Sequence, residues 1–202
     1  MKKDNQVNNA PPKKENRRVR YTRMALRESL LSLLQQYPLN KITVSRICEQ
    51  ADVNRSTFYL YYKDAYDLLE QIENDLYEQI SLAVEAVPVA LPNEELLQRI
   101  FEIIYKNRDL CRVVFGKYGN KDFLRKVGNI HRDYLMREWR RLSRSADENT
   151  LDYLHAFVSF TSIGIIEKWV AREFHETPAQ LASLVNKFLS QGISSLLAKP
   201  SA

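Results

Sequence analysis

The stretch from Thr43 to Lys63 concentrates side chains that can bind nucleic acid within two short predicted helices. The guanidinium group of Arg55 can hydrogen-bond to O6 and N7 of guanine in the major groove. Hydroxyl and amine groups around it can contact bases or fix the register of the protein on phosphates. The predicted DNA contacts are Thr43, Ser45, Arg46, Arg55, Ser56, Thr57, Tyr59, Tyr61 and Lys63.

The spacing of apolar residues predicts a helix-turn-helix that positions these side chains. One buried helix face with i, i+3, i+4, i+7 spacing is formed by Val44, Ile47, Cys48 and Ala51. Thr43 is a suitable N-cap for this helix and Asn54 for the next, because their side chains can accept free backbone N–H groups. Residues 52–54 break the pattern, and Phe58 and Tyr62 then face inward at i, i+4. The second helix of such a motif can enter the major groove.

From Met24 to Leu69 the sequence resembles the DNA-binding domain of the TetR family of bacterial transcriptional regulators. The resemblance rests on the Thr-capped second helix, the turn at 51–54, the recognition helix with Thr57-Phe58-Tyr59, and the hinge at 63–68. It is specific to this quarter of the chain. For the rest of the chain it implies an architecture and leaves the ligand open.

Two positions depart from the family pattern. Asp52 stands where the family has glycine, and Ala65 stands where the family has a lysine that steadies a phosphate; Lys63 can take over that role. The resemblance implies a homodimeric repressor that binds a near-palindromic, double-stranded operator and leaves it when a small-molecule effector enters the second domain. It also admits an alternative, in which a protein partner rather than a metabolite controls a repressor or an activator.

A protein partner would need a surface of its own. The loop at 116–121 could serve it, as could the basic residues Arg137, Arg140, Arg141 and Arg144. A solvated helix face explains this basic run equally well.

Other classes of function are disfavoured by the residues present. His131, His155 and His175 have no metal-ligand spacing, and the sequence has no glycine-rich phosphate loop or nucleophile motif. We therefore predict that the protein is not an enzyme and has no catalytic residue, metal site or cofactor. An RNA-binding protein is disfavoured because the major groove of A-form RNA is too deep and narrow for a recognition helix.

Charge is distributed unevenly along the 202 residues, whose formal net charge is +5. Residues 1–63 contain 13 Lys and Arg against 5 Asp and Glu, so positive charge lies on the segment that carries the helix-turn-helix. Residues 1–20 are predicted to form a disordered basic arm, which either contacts DNA or only aids solubility. The sequence shows no signal peptide and no membrane-spanning run, which predicts a cytoplasmic location without a membrane partner.

Periodicity beyond the helix-turn-helix is helical throughout, which predicts an all-α fold. An N-terminal three-helix domain (residues 21–65) is followed by a C-terminal helical domain for ligand binding and dimerisation (residues 66–202). Helices outside the motif are predicted at 22–37, 64–84, after Asn93, at 111–115, 123–142 and 151–174, and after the capping sequence Thr177-Pro178-Ala179-Gln180.

The helix predicted at 151–174 is apolar nearly all round, and such a helix must be covered on several sides. Either a second subunit or a larger monomeric core supplies that cover. The predicted dimer interface contains Phe157, Phe160, Gly164, Trp169, Leu184, Phe188 and Ile193. The predicted walls of an effector pocket are Phe101, Tyr105, Phe115, Tyr134, Trp139, Phe157 and Phe160, although aromatic residues at helical spacing are more often ordinary core.

Overall fold

The computed structural model of the protein describes residues 17–86, 94–130, 132–142 and 147–191. Within these ranges it contains ten α-helices and one short 3₁₀-helix, which confirms the all-α prediction. The α-helices are α1 (Arg17–Leu34), α2 (Val44–Ala51), α3 (Arg55–Phe58), α4 (Ala65–Glu85), α5 (Glu94–Lys106), α6 (Arg108–Val114), α7 (Lys121–Gly128), α8 (Arg132–Leu142), α9 (Glu148–Ala171) and α10 (Pro178–Gln191). Among the described residues, no helix is long and apolar enough to cross a bilayer. Residues 1–16, His131, Arg144 and Ile193, which carried predictions, lie outside the described ranges.

Helices α1, α2 and α3 share one apolar core. Leu26 and Leu30 of α1, Ile47 of α2 and Phe58 of α3 are fully buried in it. Burying an apolar side chain of this size contributes about 1.5–3 kcal/mol, so these residues hold the short helix α3 in place. Helix α1 begins at Arg17 rather than at Thr22, so the predicted disordered arm is wrong for residues 17–20.

The helix N-termini carry the side-chain caps that the sequence predicts. Oγ1 of Thr43 accepts a hydrogen bond from the backbone N–H of Arg46 at 3.3 Å, and Asn54 caps α3 in the same way at 3.0 Å. At α10 the N–H of Thr177 donates to Oε1 of Gln180 at 2.9 Å, and the N–H of Gln180 donates to Oγ1 of Thr177 at 3.3 Å. These caps fix where the helices begin, because they satisfy N–H groups that have no partner within the helix.

The turn between α2 and α3 depends on Asp52, whose φ of 52° lies in the left-handed region. Its backbone N–H donates to the carbonyl oxygens of Cys48 and Glu49 and so closes the end of α2. Aspartate tolerates the left-handed conformation better than most residues with a side chain. The turn therefore keeps its backbone shape without the glycine of the family pattern.

Replacing Asp52 by valine is expected to lower the free energy of unfolding by about 1–2 kcal/mol, because a β-branched residue is strained at positive φ. Asp52→Gly is the matched control. Glycine adopts a positive φ without strain but gives the unfolded chain more freedom, and these two effects oppose each other, so the free energy of unfolding should change by less than about 1 kcal/mol. Chemical denaturation followed by circular dichroism measures both variants. Equal stability of the valine and glycine variants would contradict a left-handed residue at this turn.

Helices α4 to α10 form the larger C-terminal part of the protein. Helix α5 packs between α4 and α10, while α9 packs on α7 and α8. Trp169 of α9 is 1% exposed and makes edge contacts with the rings of Phe101 and Phe174. Its Nε1–H donates to the carbonyl oxygen of Glu176 at 2.9 Å. These contacts anchor the C-terminal end of α9 within its own chain.

The single helix predicted over 123–142 is wrong, because α7 ends at Gly128 and α8 begins at Arg132. Oγ of Ser159 in α9 donates to the carbonyl oxygen of Gly128 at 2.8 Å, which gives this last residue of α7 a partner outside its own helix. A Cβ added to Gly128 would lie 3.2 Å from Cδ1 of Ile163. Glycine therefore permits the close approach of α9 at the point where the helix breaks.

Candidate functional site

One exposed face of α3 and of the turn after it carries side chains that can reach DNA. Phe58 and Tyr62 are 0% and 5% exposed, and their ring centroids lie 5.5 Å apart in the core. Because these two residues face inward, the residues on the other side of the helix and turn face outward. We call the outward set the recognition face; it contains Arg55, Ser56, Tyr59, Leu60 and Lys63. Its cations, hydroxyl groups and apolar side chain suit phosphates and base edges.

Four predicted DNA contacts belong to the recognition face, and Thr57 and Tyr61 are half-buried beside it. Oγ of Ser56 donates to Oδ1 of Asn54 at 3.0 Å, so this hydroxyl presents acceptor lone pairs to the outside. The backbone N–H of Lys63 donates to Oδ2 of Asp67 at 2.8 Å and lowers the pKa of that carboxyl group. This bond ties the end of the recognition face to the first turn of α4.

The start of α2 holds the other three predicted contacts, of which Thr43 and Arg46 are exposed and Ser45 is half-buried. The guanidinium carbon of Arg46 lies 4.0 Å from the ring centroid of Tyr37. At this distance the positive charge is attracted to the face of the ring. The aromatic ring therefore restrains a cation at the start of α2, a contact that the sequence pattern did not predict.

Leu60 is a residue of the recognition face that the sequence reasoning left out. The structure exposes 75% of it. It follows Ser56 by four residues, which places the two on the same side of a helical turn. That spacing was the signal in the sequence that could have identified it.

Arg27 joins the helix-turn-helix to the C-terminal helices. Its Nη1 donates to Oδ2 of Asp75 in α4 at 3.2 Å, and its Nη2 donates to Oδ1 of Asn107, between α5 and α6, at 3.1 Å. Nδ2 of Asn107 in turn donates to the carbonyl oxygen of Ile103 at 2.9 Å. The position of the recognition face therefore depends on α4 and on the α5–α6 corner.

A second polar contact joins α4 to α7. The carboxylate of Glu73, 8% exposed, accepts a hydrogen bond from Nδ2 of Asn120 at 3.1 Å to each oxygen. Oδ1 of Asn120 also caps α7. Burial raises the pKa of Glu73, while the hydrogen bond from Asn120 and the charge of Lys126 oppose that effect. The carboxyl group is therefore held in a site that favours its protonated form.

The raised pKa of Glu73 predicts a pH-dependent contribution to stability. The folded state binds the carboxyl proton of Glu73 more tightly than the unfolded state does. The free energy of unfolding therefore rises as the pH falls through the folded-state pKa, and this added stability is lost as the pH rises through it. Glu73→Gln, which stays neutral, is expected to lack this dependence, whereas Glu78→Gln at an exposed position of the same helix should keep it. Urea denaturation at several pH values between about 4 and 8 measures the difference. If the difference in the free energy of unfolding between wild type and Glu73→Gln is the same at every pH, the raised pKa of Glu73 in the folded state is contradicted.

Helix α9 presents an apolar stripe on its outer side. Tyr153, Phe157 and Phe160 are 78%, 59% and 75% exposed, and with Gly164 they follow the spacing of one helix face. A Cβ added to Gly164 would meet no atom within 4 Å, so the surface is open there. We call these four residues the α9 stripe. Large aromatic side chains at this exposure are typical of a surface that a partner covers.

The other predicted interface residues divide between surface and core. On α10, Leu184 is exposed and Phe188 is half-buried. Trp169 is wrong as an interface residue, because Phe101, Phe174 and the segment after α9 cover it within its own chain. The described residues therefore leave Phe157, Phe160, Gly164, Leu184 and Phe188 accessible to a second subunit.

An apolar cavity of about 160 Å³ lies between α4, α5, α7, α8, α9 and α10. Its described lining includes Ile80 and Val84 of α4 and Phe101 of α5, and none of the described lining residues is charged. Two hydroxyl groups reach the lining, but Ser159 donates to the Gly128 carbonyl oxygen, and Ser162 donates to a carbonyl oxygen of its own helix. The cavity therefore suits an apolar ligand.

The predicted pocket walls are mostly wrong for this cavity. Phe101 lines it, but Phe157 and Phe160 point outward because they lie on the opposite side of α9 from the lining residues Ser162 and Ile166. Other members of the set have different surroundings. Tyr105 is exposed and stacks on Trp169. Phe115 lines a small adjoining apolar pocket that shares Ile80 and Ile163 with the cavity. Trp139 is buried in a second cluster with Met136 and Leu151, and the side chain of Tyr134 lies outside the described part.

The basic run on α8 is partly neutralised by its own subunit. Nε and Nη2 of Arg140 donate to the two carboxylate oxygens of Glu148 at 2.6 and 2.8 Å, and Arg141 pairs with Glu138 at 2.9 Å. A protein partner that used this surface would compete with these ion pairs.

The exposed helix α3 is the second helix of a helix-turn-helix that Arg27 of α1 ties to a larger helical part, and this arrangement defines a helix-turn-helix DNA-binding protein. Comparison with protein families agrees: the model for bacterial regulatory proteins of the tetR family matches residues 27–72, and a model for a transcriptional regulator C-terminal region matches residues 93–191. The chain belongs to the TetR family of DNA-binding transcriptional regulators.

Individual relatives share part of the sequence and most of the fold. The probable HTH-type transcriptional regulator YttP of Bacillus subtilis (strain 168) is 29% identical over 118 residues, which are 55% of this chain and 56% of that protein. The chain spans 56% or less of the length of the curated relatives it matches. A TetR transcriptional regulator from Streptococcus agalactiae 2603V has a TM-score of 0.58 at 23% identity, covering 87% of this chain and 96% of that chain. The regulator FadR from Bacillus subtilis, solved in complex with stearoyl-CoA, has a TM-score of 0.61 at 18% identity, and the match covers 84% of this chain and 98% of that chain.

Proposed function

We propose that the protein represses transcription as a homodimer that binds a near-palindromic operator and leaves it when a small molecule occupies the apolar cavity. The recognition face carries this proposal, since it places Arg55, Ser56 and Tyr59 together on the exposed side of the second helix of the motif. Two such faces related by a twofold axis would meet successive major grooves if they lie about 34–36 Å apart.

The α9 stripe supports the dimer. An aromatic side chain buries about 150–250 Å² when fully covered, so three such residues from each subunit supply much of the roughly 1,200 Å² of a small specific interface. Gly164 lets a second helix approach closely. Because the stripe faces away from the chain's own core, a twofold-related copy can cover it without rearrangement of α9.

The cavity supports control by a small molecule. Ile80 and Val84 of α4 form part of its wall, and α4 also holds Asp75, to which Arg27 of the DNA-binding unit is bonded. A ligand that shifts α4 would therefore shift the recognition face as well. In this way the ligand would favour one of two conformations of the dimer. The regulator FadR from Bacillus subtilis, which has a similar fold, was solved in complex with stearoyl-CoA, a ligand with a long apolar chain, and this supports an apolar effector for the present chain. For this chain an uncharged apolar ligand fits the lining best, because burying an unpaired charge is costly.

Footprinting on the DNA upstream of the protein's own coding sequence tests the proposal. One protected near-palindrome, with loss of transcription from the overlapping promoter, is the expected result. Diffuse protection that follows only protein concentration would contradict sequence-specific operator binding. Release from the operator by neutral apolar compounds, measured by fluorescence anisotropy, would support the effector part, and indifference to all of them would contradict it.

Arg55→Ala is expected to weaken operator binding by about 1–3 kcal/mol and to relax specificity at one position of each half-site, because a bidentate contact to guanine is lost. Arg99→Ala is the matched control, since it removes an equal charge from α5, where Arg99 pairs with Glu95. Anisotropy titrations against an operator library measure affinity and specificity together. Unchanged specificity at every position would show that Arg55 does not read a base.

A further inference from the structure

Leu60 stands out on the recognition face as an apolar side chain among groups that form hydrogen bonds. It is 75% exposed, compared with 58% for the adjacent Tyr59. A single exposed leucine on an ordinary surface needs no explanation. Leu60, however, lies four residues after Ser56 on the recognition face, which contacts DNA in the proposed function.

The backbone holds Leu60 in a defined place. The N–H of Leu60 donates to the carbonyl oxygen of Thr57 at 3.3 Å, and the N–H of Tyr61 donates to that of Phe58 at 3.0 Å. These bonds continue the turn of α3 past its last residue. Phe58 and Tyr62, buried on either side, hold this turn against the core. The leucine side chain is therefore presented from a rigid support rather than from a loose loop.

The chemistry of leucine restricts what it can recognise in DNA. Leucine has no donor or acceptor, so it cannot hydrogen-bond to a phosphate or to a polar base edge. Thymine alone among the four bases presents a methyl group, at C5, in the major groove. A leucine placed against any other base would leave a polar group of that base without a partner, which is costly when water is excluded.

We infer that Leu60 reads a thymine in each half of the operator through apolar contact with the C5 methyl group. This inference rests on the proposed function and adds a specificity-determining residue to it. Burial of one methyl group is expected to change the affinity about fourfold for each half-site.

Replacement of operator thymines by deoxyuridine tests the inference, because deoxyuridine lacks only the C5 methyl group and keeps its base pairing. Each thymine of the footprinted operator is replaced in turn, and affinities are measured by anisotropy for wild type, Leu60→Ala, Leu60→Met and Leu82→Ala. Leu82 is a leucine of α4 that is 64% exposed and serves as the matched control. Leu60→Met keeps an apolar side chain of similar reach.

Wild type and Leu82→Ala are expected to lose about fourfold at one thymine position per half-site. Leu60→Ala should bind the normal operator about as weakly as wild type binds the deoxyuridine operator, and it should be insensitive to the replacement. Leu60→Met should recover most of the sensitivity. Circular dichroism spectra of all variants should match, since both leucines are exposed.

Two results would overturn the inference while the proposed function stands. One is specific operator binding by wild type that is unaffected by deoxyuridine at every position. The other is a Leu60→Ala variant that keeps the full sensitivity of wild type. Absence of any specific operator binding by wild type would instead overturn the proposed function, and the inference with it.

Discussion

Phe160→Glu is expected to convert the dimer to a monomer and to weaken operator binding at least about 100-fold. Phe160 is 75% exposed in the single chain, so the substitution leaves the fold of the subunit intact. In a twofold interface formed by the α9 stripe, the substitution places an unpaired carboxylate from each subunit in an apolar contact. Loss of a central aromatic anchor typically costs about 2 kcal/mol or more, and the buried charge adds to this cost.

Sedimentation velocity and anisotropy on the same samples measure these two effects. The matched control is Leu82→Glu, which introduces the same charge at an exposed apolar position of α4. It should leave both the oligomeric state and the operator affinity close to those of wild type. A Phe160→Glu protein that remains dimeric with normal operator affinity would show that the α9 stripe is not the interface.

Phe58→Ala is expected to lower the free energy of unfolding of the DNA-binding unit by about 3–5 kcal/mol, because a fully buried aromatic ring is replaced by a cavity. Specific operator binding should be lost, because the recognition face is held outward by the burial of Phe58 and Tyr62. The α9 stripe belongs to a different part of the molecule, so dimerisation should persist. Hydrogen exchange resolved along the chain, together with sedimentation, separates the two parts.

Tyr59→Ala provides the control for Phe58→Ala at the neighbouring position. Tyr59 is 58% exposed, so its removal should change stability by less than about 0.5 kcal/mol. It should nevertheless weaken operator binding, because Tyr59 lies on the recognition face. Loss of stability in both variants to the same extent would contradict the arrangement of this face.

Local sequence patterns predicted the helix-turn-helix well for a physical reason. Caps such as Thr43 and Asn54 act on backbone groups two or three residues away, so their effect can be read from neighbours in the chain. The inward positions of Phe58 and Tyr62 follow from the same short spacing. Leu60 was missing from the predicted contacts because it has no hydrogen-bonding group, although it follows Ser56 by four residues.

The C-terminal helices were harder to place because their surroundings come from distant parts of the chain. The helix predicted over 123–142 had suitable periodicity, yet it breaks after Gly128, where α9 approaches and Ser159 bonds to the Gly128 carbonyl oxygen. Periodicity does not contain that contact. In the same way, the apolar cavity is assembled from several helices, and only one predicted wall residue, Phe101, belongs to its described lining.

By itself the sequence determined the all-α class and the helix-turn-helix, because these depend on periodicity and caps within a few residues. Only the tertiary structure decided the roles of the aromatic residues of α9. That helix is apolar nearly all round, so no polar face marks its outer side in the sequence. Packing on the core buries Trp169 and leaves Phe157 and Phe160 outside, because neighbouring helices cover one side of α9 and not the other.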